Sequence, residues 1–264
     1  MKHLFSVSGI VFVLSIDKIQ LCNAVKGFYG SEHINANEYL RRFIDLEFVI
    51  PSPNTSSFCK YLYELYKYDE FFVSIERKKY PRLNSDKDDF LQYSISIFDK
   101  NKLTLRQQEK IYLHARVVLN LLPDNNYLFP ELFILLISIR FFNFNLFMRI
   151  KNTQLSIQEL MTETRSYFLS DSKDNNINHQ SYTAALLYHL YNNSYAKDHY
   201  GSKLYEDRSD NQAPHLLYSL DLSTEEANDF LLKSLQHLSS SEYRRMKLDY
   251  LLDIIDLTEN LTMK

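Results

Sequence analysis

An aspartate and a lysine stand together where an apolar segment of the chain ends. Residues 10–16 read IVFVLSI, and Asp17 and Lys18 follow directly. An uninterrupted apolar run of this length, rich in β-branched residues, predicts a strand buried on both faces of a parallel sheet. Because ligands of open α/β sheets bind at the carboxyl ends of the strands, the pair is a candidate binding site. The simpler alternative is that Asp17 caps the next helix and that Lys18 is solvated.

The segment that follows predicts the elements that would hold this pair in place. A helix-like stretch ending in FYG leads to YLRRFIDLEFVIP, residues 39–51, which contains a second short strand. A buried strand, an amphipathic helix and another strand make one β-α-β step of a parallel sheet. Since two parallel strands are not stable alone, we expect the rest of the sheet to lie upstream of Met1 or on another molecule.

These residues resemble the C-terminal half of the core of the KAP family of P-loop NTPases. The shared pattern is VFVLSIDKIQL, a helix ending in FYG, and EYLRRFIDLEFVIP. The resemblance is dense over residues 4–53 and looser through the helical region to residue 165. It implies an intact protein that binds and hydrolyses ATP with Mg²⁺ and uses the reaction as a conformational switch.

The phosphate-binding part of that family is absent from this sequence. No GxxxxGK(S/T) occurs, the four glycines cannot make one, and no strand-like run ends in paired acidic residues. We therefore predict that residues 1–264 are the C-terminal fragment of such an NTPase, inactive and without a cofactor by themselves. The alternative is a helical interaction or regulatory module that completes its sheet with a separate partner.

Within an intact domain, the resemblance implies cofactor-binding roles for Asp17, Lys18, Arg106 and Arg42. In related NTPases a polar or basic residue at the end of this strand senses the γ-phosphate, and Asp17 and Lys18 have that position. Arg106, in LTLRQQEK, resembles the lid-helix arginine of AAA-like ATPases. A guanidinium suits this role because it stays charged and grips phosphate oxygens with two donors. The alternative for Arg106 is an exposed helical arginine paired with Glu109.

The case for Arg42 is weaker. In YLRRF, one of Arg41 and Arg42 is a candidate phosphate or subunit contact. Basic residues are also favoured at a helix C-terminus for electrostatic reasons alone, which is the simpler explanation.

Other reactive side chains show no catalytic or metal-binding pattern. The eight histidines lack HExxH or another metal-ligand spacing, and no G-x-S-x-G or catalytic cysteine motif occurs. His114 and His189 lie within predicted helices and are expected to be packed or partly exposed rather than ligands. The net charge of −3 gives no global attraction to nucleic acid. The basic cluster 77–82 is followed closely by aspartates, which favours a solvated helix end over a phosphate-backbone contact.

The rest of the chain predicts helices. Glycine and proline number only four and six, and 45% of the residues are hydrophobic, which favours long helices around a sizeable core. We predict a mainly α fold: a remnant of a parallel α/β P-loop NTPase core, a helical lid and a helical C-terminal domain. The predicted domains are residues 1–53, 54–125 and 126–264.

Several helix boundaries follow from capping signals and prolines. The signals are Ser85 as an N-cap, Thr104 as a helix start, Pro130 opening a helix that runs to about Lys151, and three capping boxes at 156–159, 223–226 and 239–242. Residues 56–68 predict an amphipathic helix, 169–180 a linker, and 182–191 a further helix.

The N-terminus resembles a secretory signal peptide, but no A-x-A-like cleavage site precedes the charges of Asp17 and Lys18. The other apolar stretch, 132–139, is far shorter than the roughly 20 residues of a membrane span. We expect no transmembrane segment and a cytoplasmic protein, with membrane association only through upstream regions or partners. The expected partners are an N-terminal NTPase half or further copies of the chain. A secreted helical protein is the alternative, and the intact mass from the host tests it.

Overall fold

The chain divides into two compact units, residues 1–52 and 53–264. The structure is a computed structural model that describes residues 9–51, 53–168, 177–196, 203–206, 214–217 and 225–257. Nearly all regular structure in these ranges is helical, so the predicted mainly α fold is confirmed. Among the same residues, every helix is too short or too polar to cross a membrane.

The first unit contains two helices, α1 (Lys18–Tyr29) and α2 (Ala36–Leu40). The hydroxyl of Tyr29 donates to the hydroxyl of Tyr39 at 2.9 Å and so joins the two helices. Of the residues described in this unit only Ala36 and Leu40 are buried, and none of them belongs to α1. Taken by itself, the unit has almost no hydrophobic core.

The two segments predicted as strands do not form a sheet in this unit. Residues 11–17 and 44–51 are irregular, although the helix predicted between them is present. The side chains of Val11, Val13 and Phe48 are 87, 90 and 84% exposed. A strand needs hydrogen-bond partners on a neighbouring strand and cover for its apolar side chains. The described residues of this unit provide neither, so the β-α-β step is not formed.

The second unit is a set of helices around one core. Its α-helices are α3 (Thr55–Leu65), α4 (Asp69–Phe72), α5 (Asp86–Lys100), α6 (Leu105–Leu119), α7 (Pro130–Phe142), α8 (Phe144–Lys151), α9 (Ile157–Phe168), α10 (Ile177–Tyr195), α11 (Glu225–Ser240) and α12 (Asp249–Asp256). Short 3-10 helices cover Arg77–Lys79, Pro81–Leu83 and Glu242–Arg245. In the described ranges the only sheet pairs β1 (Tyr205–Glu206) with β2 (His215–Leu216), antiparallel.

Helix α7 lies at the centre of this core. Every residue from Leu132 to Ile139 is buried, which explains why this stretch is apolar on all sides. Pro130 begins the helix as predicted, because a missing amide costs nothing in the first turn. The helix ends before Asn143, whose side chain caps α8. The single helix predicted to run to about Lys151 is therefore two helices.

Two helix starts predicted from the sequence are closed by capping boxes. Thr104 and Gln107 make reciprocal side chain–backbone bonds at the start of α6. Ser156 and Glu159 do the same at the start of α9. The prediction of Ser85 as the N-cap of α5 is wrong, because its side chain makes no capping hydrogen bond.

The remaining boundaries were predicted less well. The capping box predicted at residues 239–242 is not formed. Ser239 lies inside α11, and its hydroxyl donates to the carbonyl of Leu235 at 2.8 Å. The predicted linker ends earlier than expected, since residues 177–180 already belong to α10. The rest of that linker, and Ser223 of the box at 223–226, lie outside the described residues.

Candidate functional site

Asp17 ends the first irregular segment and caps α1. Its Oδ1 accepts the backbone amides of Ile19 at 2.9 Å and Gln20 at 3.1 Å. An N-cap carboxylate satisfies amides that have no partner within the helix, and its charge is favourable at that end. Asp17 therefore caps α1, which is the simpler of the two roles that the sequence left open. Asp17 has a structural role that does not depend on a ligand.

Lys18 forms an ion pair with Glu47. Its Nζ lies 2.8 and 2.7 Å from the two carboxylate oxygens of Glu47. The two side chains are about half exposed, and such pairs contribute at most about 1 kcal/mol. The pair joins the start of α1 to the second irregular segment. An anionic ligand of Lys18 would have to replace Glu47, and an exposed pair opens at little cost.

Arg42 lies in the turn after α2 and is exposed. Its neighbour Arg41 pairs with Glu38 at 2.6 Å, three residues earlier on the same helix face. The side chain of Arg42 makes no hydrogen bond or ion pair with a residue that the structure describes. The side chain is thus available to a ligand or partner, and its predicted role stays a prediction.

Arg106 is the second residue of α6 and is exposed. The pair with Glu109 that helical spacing favours is not formed. Glu109 instead accepts a hydrogen bond from the hydroxyl of Tyr66 at 3.5 Å. Within the described ranges Arg106 has no hydrogen-bonded or ionic partner. A cation in the first turn of a helix opposes the helix dipole, so Arg106 adds nothing to helix stability and is available to an anion.

The four predicted cofactor-binding residues are distributed over both units. Asp17, Lys18 and Arg42 belong to the first unit, and Arg106 belongs to the second. No group of histidine, cysteine or acidic side chains suited to a metal ion occurs in the part of the chain that the structure describes. The phosphate-binding role of the four residues stays a prediction.

A buried ion pair in the second unit was not predicted. Arg77, expected in a solvated cluster, is only 1% exposed. Its guanidinium bonds the carboxylate of Asp86 and donates to the carbonyls of Asp124 at 3.0 Å and Asn126 at 3.3 Å. The same group stacks on the ring of Phe71, 4.5 Å from the centroid. The predicted solvated helix end is thus wrong for Arg77 and Asp86, because they pair with each other and Arg77 also binds a distant loop at residues 124–126.

Glu131 is a second buried acid that sequence reasoning missed. It lies in the first turn of α7 and is 7% exposed. Burial, with a smaller contribution from the nearby carboxylates of Asp89 and Asp86, raises the pKa of its carboxyl to about 7. A Pro-Glu sequence at a helix start normally indicates an exposed acid stabilised by the helix dipole. Here the packing of other helices against α7 removes Glu131 from water.

Of the two helical histidines, His189 is buried and His114 is partly exposed, in agreement with the prediction. Nε2 of His114 lies 2.8 Å from the carbonyl oxygen of Ile255, and Nε2 of His189 lies 3.2 Å from that of Tyr243. Burial lowers the pKa of both imidazoles because it disfavours the charged form. Each histidine therefore serves to anchor a C-terminal segment of the second unit.

Comparison with known families gives one result. Residues 1–122 match the family model described as the KAP family P-loop domain. No curated protein and no solved structure matches the chain. The resemblance noted in the sequence is thereby confirmed. The matched region contains all four predicted cofactor-binding residues.

Proposed function

We propose that the chain is part of an ATP-dependent conformational switch, because residues 1–122 match the family model described as the KAP family P-loop domain. In this proposal the phosphate-binding loop and the Mg²⁺-holding strand are supplied by polypeptide outside residues 1–264. The proposal is supported by one observation: residues 1–122 match a P-loop family model, although the sequence contains no GxxxxGK(S/T). We place the switch in the cytoplasm, with any membrane contact made through other regions or partners.

The residues proposed to reach the nucleotide suit phosphoryl transfer. Catalysis of this reaction depends on positioning and on stabilising charge at the phosphate oxygens. Arg106 offers an exposed guanidinium with two parallel donors. Lys18 offers an ammonium whose present ion pair with Glu47 is exposed and weak. Asp17 keeps the start of α1 in place beside Lys18.

The first test uses the purified chain of residues 1–264 with ATP and Mg²⁺. We expect no phosphate release above a protein-free control, because no loop of backbone amides and no P-loop lysine hold the β- and γ-phosphates. A malachite-green or coupled-enzyme assay measures this. ATP hydrolysis that disappears in Arg106→Ala would contradict the proposed inactivity.

The second test asks whether Arg106 acts in the assembled switch. If the DNA upstream of codon 1 encodes a P-loop segment, we expect the joined polypeptide to hydrolyse ATP. Arg106→Ala should then lower kcat by roughly 10²-fold, the usual cost of removing one transition-state donor. Arg245→Ala is the matched control, since Arg245 is also an exposed arginine of the second unit. An equal loss of kcat in both variants would show that Arg106 has no specific role at the nucleotide site.

A second candidate function is a helical interaction module that completes its sheet with a separate partner. The specific observation in its favour is the exposure of two apolar segments, in which Val13 and Ile50 are 90 and 88% exposed. Burying such side chains in a sheet contributes about 25 cal/mol per Å² of apolar area. We expect the chain alone to aggregate and a loop-bearing partner to make it soluble. Recovery of a stable, soluble monomer without a partner would argue against this function.

A further inference from the structure

The loop of residues 123–129 connects the region that matches the family model to the helices that follow it. The match ends at residue 122, and α7 begins directly after the loop. On the side of the matched region, the buried guanidinium of Arg77 donates to the carbonyls of Asp124 at 3.0 Å and Asn126 at 3.3 Å. These two bonds attach the first half of the loop to the matched region.

The second half of the same loop is bonded to the C-terminal part of the chain. The hydroxyl of Tyr250, in α12, donates to the carbonyl of Tyr127 at 3.1 Å. The ring of Tyr243 packs edge-on against the rings of Tyr127 and Phe129, with centroids 5.2 and 5.4 Å apart. One short loop therefore contacts two parts of the second unit that are far apart in the sequence.

Phe129, the last residue of this loop, has a strained backbone. Its φ is 48° and its ψ is 72°, in the left-handed region that bulky residues rarely adopt. The proline that follows favours extended conformations at this position instead. A strained conformation of this kind persists only where the surrounding contacts impose it. The closed loop thus carries strain that its opening would relieve.

Glu131 lies two residues after Phe129, in the first turn of α7, and its side chain is buried. The side chains that interact with its charge include Asp86, Asp89 and Tyr93 from α5 and Tyr182 from α10. Within the described ranges Glu131 has no ion-pair partner. An ionised carboxylate at this position would have acids nearby and no cation of its own, which is costly inside a protein.

We propose that Glu131 is a proton-dependent latch for the loop of residues 123–129. While it is protonated, the neutral carboxyl stays packed against α5 and α10, and the loop keeps its bonds to Arg77 and Tyr250. When it releases its proton to the solvent, the carboxylate moves into water, the first turn of α7 opens, and the loop leaves both partners. Arg77 does not neutralise the new charge, because its guanidinium is paired with Asp86. Relief of the strain at Phe129 favours the open loop.

The pH range of the latch follows from the environment of Glu131. Burial raises the pKa of its carboxyl to about 7 in the closed state, from the 4.5 of a solvated carboxyl. The ratio of open to closed loop should therefore be constant below pH 4.5, rise between these values, and level off above about pH 7. The difference between the two pKa values limits this rise to about 300-fold.

The test is amide hydrogen exchange of the full chain, measured by mass spectrometry at pH 5 and pH 8 and corrected for the intrinsic effect of pH. The reporting amides are Phe133, which donates to the carbonyl of Phe129 at 2.9 Å, and Asn126, which donates to that of Pro123 at 3.0 Å. From pH 5 to pH 8, we expect their protection to fall at least about ten-fold in the native chain. In Glu131→Gln, which does not ionise, it should not change.

Two controls make the result specific to this latch. Protection in α8 should not change with pH, because only the loop and the first turn of α7 open. Glu109→Gln, which removes an exposed acid, should keep the native pH dependence. Circular dichroism at pH 5 checks that both variants are folded.

Three outcomes would overturn the proposal. An equal fall in α8 would mean that the pH dependence belongs to global unfolding. Constant protection of the loop in the native chain would mean that no latch operates, and an unchanged fall in Glu131→Gln would assign it to another group. The measurement uses no ATP, so the latch and the proposed ATP-dependent switch stand or fail separately.

Discussion

Replacing Arg77 with alanine is expected to lower the free energy of unfolding of the second unit by about 3–5 kcal/mol. Removing the guanidinium leaves the carboxylate of Asp86 buried without its cation, which is the costly way to break a buried pair. It also leaves the carbonyls of Asp124 and Asn126 without the donors that join their loop to the 3-10 helix at Arg77. Urea unfolding followed by circular dichroism at pH 7 measures the change.

Two further variants make this result specific. Lys79→Ala removes a cation from the same short helix, but its pair with Glu76 is exposed, so a loss below about 1 kcal/mol is expected. Arg77→Met combined with Asp86→Leu removes both charges together and should recover part of the stability lost in Arg77→Ala. If Arg77→Ala proved no more destabilising than Lys79→Ala, Arg77 would not anchor the loops as the structure indicates.

Glu131→Gln is expected to make the second unit more stable near neutral pH, by up to about 3 kcal/mol. Burial raises the pKa of Glu131 from 4.5 to about 7 in the folded protein. Between these values the folded state keeps a proton that the unfolded state has released, so the free energy of unfolding falls as pH rises. Part of this rise in the pKa comes from the carboxylates of Asp89 and Asp86, which repel the ionised form. Glutamine has nearly the same shape and does not ionise.

The measurement is the difference in unfolding free energy between Glu131→Gln and the native chain, taken across the pH range. The difference should be small near pH 4.5, grow as pH rises, and level off above about pH 7. Glu109→Gln is the control, because Glu109 is exposed and its removal should change stability by no more than about 0.5 kcal/mol at any pH. A difference for Glu131→Gln that stays constant with pH would show that its carboxyl does not titrate in this window.

Local signals in the sequence predicted the helices of the second unit well. The capping box of Thr104 and Gln107 depends on atoms three residues apart, so the sequence contains the whole interaction. The same holds for Pro130, whose fixed backbone angle suits a first turn wherever the helix lies. The resemblance of residues 4–53 to the KAP family was likewise visible in the sequence, and residues 1–122 match the model of that family.

Contacts between distant segments were not predictable in this way. The pattern of residues 10–16 predicts a buried strand, yet Val11 and Val13 are exposed because strand formation needs a neighbouring strand. Arg77 was expected in water, and its partners Asp86 and Asn126 lie 9 and 49 residues away along the chain. No short window of sequence contains that information.

The sequence by itself determined a mainly helical chain and the positions of most helix starts, because these depend on hydrogen bonds and periodicities over a few residues. Only the tertiary structure decided which charged side chains are buried and which apolar ones are exposed. Arg77 and Glu131 lie in the interior, while Leu113 and Val117 face outward. The physical reason is that burial and its electrostatic consequences depend on which elements pack together, and packing joins residues far apart in the chain.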